Sequence, residues 1–268
     1  MAKLRYVRNL QQARAAQDKN PEFSMNNTVR SVRALYRTDA AIAQALLPKP
    51  LQPAEPNVFV QYVKVTMHIP QTEPITIGAA TVGVACRYED REGYYVLAMP
   101  MEGEFVVIGG RETYGEPKKI ADIDFNVEGD EVQVAAIRHG IPFLQIKGKL
   151  GKDLGPAAFT EYLFCHKALP SIEKNGGFDG EVFLTQLDWK RNYSQMRNID
   201  GGEITLVESP WDPLVDVPVR ELISLQYAEG NTNTSGKILR SIPGEWLAPY
   251  IHQRYDDKES VGIEVQVA

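Results

Sequence analysis

Segments with strand composition recur along most of the chain, and short clusters of turn residues separate them. Residues 58–67, 75–87 and 131–138 are rich in β-branched and aromatic side chains, whereas helix-like segments are few and short. Strands at such intervals predict an α+β, mainly β protein with an antiparallel sheet. Periodicity alone does not choose between a sandwich and a barrel.

The same patterns place the remaining elements. Helices are predicted over 3–19, which Asn20 and Pro21 would end, over 40–47, capped by Thr38 and Asp39, and over 217–224 and 245–253. Further strands are predicted over 28–37, 93–99, 105–108, 141–150, 161–167, 181–188, 202–208 and 260–267. Loops or turns are expected at 53–56, 139–140, 151–156, 175–177 and 200–202. We expect residues 1–27 to form an N-terminal arm and 28–268 a single domain.

Composition excludes several functional classes. A chain of 268 residues with 43% hydrophobic residues can bury a full core, and a net charge of −6 with scattered basic residues is not a nucleic-acid footprint. A membrane span would need about 18 consecutive apolar residues, and the sequence has no such run. The residues after Met1 lack the apolar core of a secretory signal, which predicts a cytoplasmic location.

Cysteine and histidine usage does not indicate a metal centre. Cys86 and Cys165 are far apart and lie in apolar runs, so buried structural thiols are expected rather than a disulfide or a zinc site. The four histidines lack paired spacing, and we interpret all of them as structural or exposed: His68, His139, His166 and His252.

The adjacent lysines Lys118 and Lys119 are the strongest candidates for chemistry. Pro117 fixes its own backbone angle and disfavours helix at Glu116, so Lys118 should begin an extended segment. Adjacent lysines are usually solvated surface charges. If both amines enter one cavity, however, desolvation and like-charge repulsion each favour the neutral amine, which can attack a ketone and form a Schiff base.

Three stretches of the chain resemble the acetoacetate decarboxylase superfamily, whose best-known member is itself the standard example of a lysine activated in this way. The stretch that resembles the family's active-site segment is Gly110-Arg111-Glu112 followed by Tyr114-Gly115-Glu116-Pro117-Lys118-Lys119. The N-terminal pattern of the family is similar to residues 36–39, 47–51 and 55–56, and the C-terminal pattern to residues 212–214 and 216–222.

The resemblance implies a closed β-barrel-like sheet with a few short helices and a lysine inside. Lys118 would be the Schiff-base lysine and Lys119 its perturbing neighbour. No cofactor is implied, and the partners would be a small oxo acid, an aldehyde in some members, and further copies of the chain in a tetramer or larger homo-oligomer. Neither nucleic acid nor a membrane is an expected partner.

Departures from the family pattern bear on the reaction. Decarboxylases of the family place two glutamates and an arginine in the pocket, whereas matching positions here hold Gln61 and, within a run of small residues, Ala79. The arginine position falls at Val29 or, with a shift of one residue, at Arg30. This pattern favours aldolase-dehydratase chemistry on pyruvate and an aldehyde. A genuine acetoacetate decarboxylase and a noncatalytic barrel that binds a hydrophobic carboxylate are the alternatives.

Other residues are candidates for supporting roles. Tyr114 and Tyr250 are candidate proton carriers, and Gln61 is a candidate hydrogen-bond partner for a carbonyl or hydroxyl. Glu116 is a candidate substrate contact beside Lys118, and Met99 would suit an apolar part of the substrate, although core packing is the ordinary role of methionine.

Overall fold

The computed structural model describes residues 4–18, 25–68, 73–173 and 177–267. Ten strands form one sheet: β1 (Met25–Arg37), β2 (Gln52–Met67), β3 (Ile75–Tyr88), β4 (Arg91–Met101), β5 (Lys118–Ile120), β6 (Asp122–Glu128), β7 (Glu131–Arg138), β8 (Ile141–Lys167), β9 (Val182–Leu206) and β10 (Glu221–Ile242). The α-helices are α1 (Leu10–Asp18), α2 (Ala40–Ala45) and α3 (Glu104–Tyr114), and 3-10 turns cover Leu214–Asp216, Gly244–Trp246, Ala248–Tyr250 and His252–Tyr255.

One additional pairing closes the sheet. The strand order is β5-β4-β3-β2-β1-β10-β9-β8-β7-β6, and β4 also pairs with β8 through Tyr94 with Leu163 and Tyr95 with Phe164. The seven strands from β4 through β1 and β10 to β8 therefore form a closed ring. The prediction of a mainly β, largely antiparallel, barrel-like sheet with few helices is confirmed.

The ring has two buried faces. On the outer face, Val32, Val60 and Val82 pack with Ile123 and Val134 of β6 and β7, which form a second layer over the ring. Because side chains alternate along a strand, the neighbouring residues point inward. Inward-pointing residues are buried as well, and the candidate lysine belongs to them.

The segment before the lysines is a helix, so the strand predicted over 105–108 is wrong. Phe105 and Ile108 are exposed on α3 while Val107 is buried, which is a helical rather than an alternating pattern. Four apolar residues in a row cannot distinguish these two structures. Gly115 ends α3 in the left-handed conformation at φ 75°, and Lys118 begins β5 as predicted.

Several stretches rich in proline or glycine lie inside long strands rather than between them. The predicted loops at 53–56 and 151–156 and the predicted turn at 200–202 are irregularities of β2, β8 and β9, where the pairing register shifts. The turn at 139–140 is present, with positive φ at both residues. Bulges and turns favour the same residue types, so composition alone does not distinguish them.

Other boundaries differ from the prediction. Helix α1 begins at Leu10, and α2 ends at Ala45. Asp39 occupies the N-cap position of α2 but makes no side-chain capping hydrogen bond. The helix expected over 217–224 is wrong, because β10 begins at Glu221 and pairs with both β1 and β9. The segment 245–253 forms separate 3-10 turns, and 260–267 is not a strand. The helix stop at Asn20 and Pro21 lies outside the described residues, as does most of the turn at 175–177.

None of the helices in the described ranges is long and apolar enough to cross a membrane.

Candidate active site

The turn after α3 fixes the position of Lys118. The Lys118 backbone N–H donates to the Glu116 carbonyl at 2.8 Å, and the Lys118 carbonyl accepts from Arg111 Nη1 at 2.8 Å. Strand β5 then pairs in parallel with β4, which sets Lys118 beside Met99. The end of the helix, the proline and the strand pairing together aim the lysine side chain.

The Lys118 amine is buried beside one carboxylate. Its side chain is only 12% exposed, and Nζ lies 2.8 Å from Glu116 Oε2 and 3.4 Å from the Val106 carbonyl oxygen. The Glu116 Oε2 atom accepts no well-aligned hydrogen bond, so this contact is an ion pair. In the described part of the chain no other carboxylate forms an ion pair with Lys118. Glu116 is therefore placed to exchange a proton with the amine.

Lys119 lies in a separate cluster of charges. Its Nζ is 2.8 Å from Asp256 Oδ1 and 3.1 Å from Asp212 Oδ1, and it donates to the Trp211 carbonyl at 2.8 Å. Arg138 completes the cluster through Asp212 and Asp256, at 2.6 and 2.7 Å. Successive strand residues point to opposite faces, so the expected shared cavity for the two amines is not formed. Two carboxylates neutralise the charge that was expected to act on Lys118.

A row of inward-pointing residues crosses four strands at the level of Lys118. Gln61 is opposite Thr81, and Met99 is opposite Lys118. The pairs Ala79–Met101 and Val82–Ala98 set the register of β3 and β4, which brings Thr81 opposite Met99. Register partners share a face of the sheet. Gln61, Thr81 and Met99 are thus buried on the same face as Lys118, and none of them is a carboxylate.

An arginine pair that the sequence did not reveal continues this interior. Arg33 is the register partner of Gln61 and pairs with Glu161, and Arg191 Nε lies 3.0 Å from the same carboxylate. Arg191 Nη2 also donates to Gln61 Oε1 at 2.7 Å. Burial alone would raise the pKa of Glu161, but the two arginines outweigh it and hold that pKa below its usual range.

The charges of the interior sum to an excess of one. Lys118, Arg33 and Arg191 are cations, whereas Glu116 and Glu161 are the carboxylates paired with them. A monoanion would balance this arrangement.

Tyr114 lies close to the lysine. Its ring packs with Met99 and Cys165 and covers Gly236, where an added Cβ would lie 2.4 Å from the ring. Burial raises the pKa of Tyr114, and the charge of Glu116 raises it further. The structure thus brings Glu116 and Met99 beside Lys118, and Tyr114 packs against the cluster that contains Met99.

Two predicted site residues lie elsewhere. Arg30 is 47% exposed and donates to the Tyr227 hydroxyl at 2.9 Å, on the strand face opposite to Arg33. Tyr250 packs against the outer core and donates to the Leu47 carbonyl at 3.4 Å. Neither contacts Lys118. The alternation of side chains along β1 was the available signal for Arg33, because it places Arg33 rather than Arg30 on the face of Gln61.

The C-terminal segment also reaches the site. The Arg254 carbonyl accepts from Arg111 Nη1 at 3.2 Å, and this nitrogen also donates to the Lys118 carbonyl. Asp256 holds the segment in place through Lys119 and Arg138. No local pattern in the sequence indicates these long-range contacts.

His166 makes stability depend on pH. Burial, and secondarily the charge of Arg254, lowers the pKa of His166 from 6.5 to about 3. The contribution of neutral His166 to the free energy of unfolding is therefore fully present above about pH 6.5. It is lost as pH falls towards the pKa of His166 in the folded chain, because the unfolded chain takes up the proton first. Between pH 7 and about pH 4.5, we expect the free energy of unfolding of wild type to fall by about 2 to 3 kcal/mol more than that of His166→Phe. Urea unfolding at both pH values measures this, and parallel losses would contradict it.

Comparisons with known proteins agree on one family. The family model for acetoacetate decarboxylase (ADC) matches residues 11–241. The acetoacetate decarboxylase of Burkholderia vietnamiensis is 32% identical over 204 residues, which cover 72% of this chain and 78% of the relative.

Solved structures share the fold. Acetoacetate decarboxylase from Legionella pneumophila has a TM-score of 0.67 at 19% identity, covering 81% of this chain and 87% of the other. The enduracididine biosynthesis enzyme MppR, in complex with the condensation product of pyruvate and imidazole 4-carboxaldehyde, has a TM-score of 0.68 at 16% identity, covering 81% and 89%. An acetoacetate decarboxylase-like enzyme from Sphingomonas wittichii RW1 has a TM-score of 0.65 at 18% identity, covering 82% and 94%.

Proposed function

Since this chain belongs to the acetoacetate decarboxylase family, we propose that it is a lyase that forms a Schiff base between Lys118 and a small oxo acid. The observation that carries this proposal is the buried Lys118 amine, 2.8 Å from Glu116 Oε2. An amine attacks a carbonyl only in its neutral form. Glu116 supplies the adjacent base that takes the proton.

The chemical steps follow from this pair. Glu116 accepts a proton from Lys118, and the neutral amine adds to the oxo carbon to give a carbinolamine. Loss of water, with a proton returned from Glu116, leaves an iminium that acts as an electron sink. Tyr114, whose pKa the charge of Glu116 raises, is the candidate to assist in these proton transfers.

We favour aldolase-dehydratase chemistry with pyruvate. The iminium of pyruvate loses a methyl proton to give an enamine, which adds to an aldehyde, and the adduct then loses water. This sequence retains the carboxylate, and the interior with Arg33 and Arg191 offers that carboxylate a favourable charge. The row of Gln61, Thr81 and Met99 lacks a carboxylate that would repel it.

Decarboxylation of acetoacetate is the second candidate. It is favoured by the curated relatives, because the Burkholderia vietnamiensis protein is an acetoacetate decarboxylase. The same iminium on Lys118 would accept the electron pair left by departing carbon dioxide. A barrel that only binds a hydrophobic carboxylate is the third candidate, in which Lys118 forms no covalent bond.

Intact-mass spectrometry after borohydride reduction separates these candidates. We expect wild type incubated with pyruvate to gain the mass of the reduced adduct, and Lys118→Ala to gain none. Lys147→Ala, which removes an exposed lysine, is the matched control and should react as wild type does. Product analysis with acetoacetate and with pyruvate plus an aldehyde then identifies the reaction.

Each outcome has a distinct meaning. Condensation of pyruvate without release of carbon dioxide from acetoacetate supports the favoured chemistry. Rapid release of carbon dioxide supports the decarboxylase instead. If neither oxo acid gives an adduct on wild type, the covalent proposal is wrong and the binding protein is favoured.

A further inference from the structure

The C-terminal end of α3 rests on the inner face of the barrel wall, on strands that are distant in sequence. Thr185 of β9 is the register partner of Cys165 in β8, and Gly236 of β10 is the register partner of Leu187. Cys165 and Leu187 belong to the buried cluster that contains Met99, and register partners share a face of the sheet. Thr185 and Gly236 therefore lie on the same inner wall as Met99, which is beside the lysine.

Thr185 caps the last carbonyl group of the helix. Its Oγ1 atom donates to the Tyr114 carbonyl at 2.6 Å, and the Cys165 carbonyl oxygen lies 3.1 Å from the same atom. A hydroxyl carries one hydrogen, so the nearer Tyr114 carbonyl is the main acceptor. The last carbonyl groups of a helix have no partner within the helix, and burying one without a partner costs free energy. Thr185, which is 2% exposed, supplies that partner from another part of the fold.

Two glycines allow the helix end to lie this close to the wall. An added Cβ at Gly236 would lie 2.4 Å from the Tyr114 ring. An added Cβ at Gly115 would lie 2.4 Å from the His166 carbonyl oxygen and 2.5 Å from Lys167 Cα. The end of α3 is thus held by one buried hydrogen bond to β9 and by close packing on β8 and β10.

The reacting pair follows directly after this anchored end. Glu116 comes two residues after Tyr114, and its N–H donates to the Gly110 carbonyl at 3.4 Å. The Lys118 N–H in turn donates to the Glu116 carbonyl at 2.8 Å, and Glu116 Oε2 lies 2.8 Å from Lys118 Nζ. The turn is therefore fixed at one end by Thr185 and at the other by the pairing of β5 with β4.

We propose that Thr185 is a positioning residue, whose hydroxyl holds the turn that carries Glu116 and Lys118 in the geometry needed for Schiff-base formation. The inference rests on the proposed function and deepens it, because it assigns a role to a residue of β9 outside the lysine segment. Thr185 acts through the backbone, since its hydroxyl donates to a carbonyl group of the chain. A misplacement of about 1 Å at a reacting group costs about a hundredfold in rate.

Thr185→Val tests the proposal, because valine keeps the shape of threonine but cannot donate a hydrogen bond. We expect the maximal rate of borohydride trapping with pyruvate to fall by about ten- to hundredfold. The pyruvate concentration that gives half of this rate should change by less than about threefold, because the loss lies in the reacting geometry rather than in binding. Thr185→Ser keeps the hydroxyl and should react within about threefold of wild type. Thr205→Val removes an exposed hydroxyl from the same strand and is the matched control.

Amide hydrogen exchange supplies a readout that needs no reaction. The backbone N–H groups of Gly115, Glu116 and Lys118 are all hydrogen-bonded in the turn. Their exchange should be at least about threefold faster in Thr185→Val than in Thr205→Val, because the turn opens more often without its anchor. If wild type forms no adduct with either oxo acid and exchange still rises in this way, the covalent proposal fails while the anchoring of the turn by Thr185 stands.

Equal maximal trapping rates for Thr185→Val and Thr205→Val would overturn the inference and leave the Schiff base on Lys118 intact. A loss that Thr185→Ser does not restore would also overturn it, because the packing of the side chain rather than its hydroxyl would then be responsible. If Thr185→Val does not fold, Thr185→Ser is compared with Thr185→Ala, since these two variants differ only in the hydroxyl. The same difference of about ten- to hundredfold is then expected, and equal rates would contradict the proposal.

Discussion

Replacing Gly110 with alanine is expected to slow formation of the trapped adduct on Lys118 by at least about a hundredfold while the fold remains intact. An added Cβ would lie 2.2 Å from Glu116 Oε2, 2.4 Å from Lys118 Nζ and 2.6 Å from Lys118 Cδ. Alanine is favoured over glycine by about 1 kcal/mol inside a helix, so α3 itself should tolerate the change. The substitution therefore displaces the amine and its carboxylate. A misplacement of about 1 Å at a reacting group costs about a hundredfold in rate.

Gly109→Ala is the matched control for this experiment. It makes the same change one residue earlier in α3, where an added Cβ meets no atom within 4 Å. We expect Gly109→Ala to form the pyruvate adduct at the wild-type rate and Gly110→Ala to form it at least about a hundredfold more slowly. Trapping rates and urea unfolding of both variants measure this. Equal trapping rates would show that the contact between α3 and Lys118 does not position the nucleophile.

The position of Lys118 could be predicted from local chemistry. The position of Lys119 follows from the alternation of side chains along a strand. Pro117 and the turn before it determine where β5 starts, and both are visible in the sequence. Once Lys118 begins a strand, alternation alone directs Lys119 to the other face. The sequence argument made a shared cavity for the two amines a condition, and alternation along β5 does not meet that condition.

Elements shaped by distant contacts could not be predicted. Helix α3 has the composition of a strand at residues 105–108 because Phe105 and Ile108 face outward, and four residues carry too little periodicity to reveal that. Strand β10 carries a polar stretch with two glycines, Gly230 and Gly236, yet it pairs along both edges with β1 and β9. Its hydrogen bonds come from partners far away in sequence, so local propensity does not report them.

The two adjacent lysines of β5 have different charged partners. Lys118 has one carboxylate partner and lies on the inner face, whereas Lys119 is held by Asp212 and Asp256 on the other face. A lysine fixed by two carboxylates is a poor nucleophile, because its proton is shared with both. The same cluster fastens the C-terminal segment that carries Arg254. The ion pairs of Lys119 thus lie on the face of β5 opposite to the Lys118 amine.

Asp212→Asn tests this assignment and is expected to cost about 3 to 5 kcal/mol of unfolding free energy, the usual effect of breaking a buried ion pair. Asp212 is 2% exposed and lies 3.1 Å from Lys119 Nζ and 2.6 Å from Arg138 Nη1. Asparagine keeps the shape but leaves two buried cations with Asp256 alone. That loss is a large part of the roughly 5 to 15 kcal/mol that stabilises a typical domain.

The control is Glu221→Gln, which removes a carboxylate from the exposed ion pair with Arg37 and should change stability little. Urea unfolding of the two variants at neutral pH gives the comparison. If Asp212→Asn proves as stable as Glu221→Gln, the cluster does not hold the fold together.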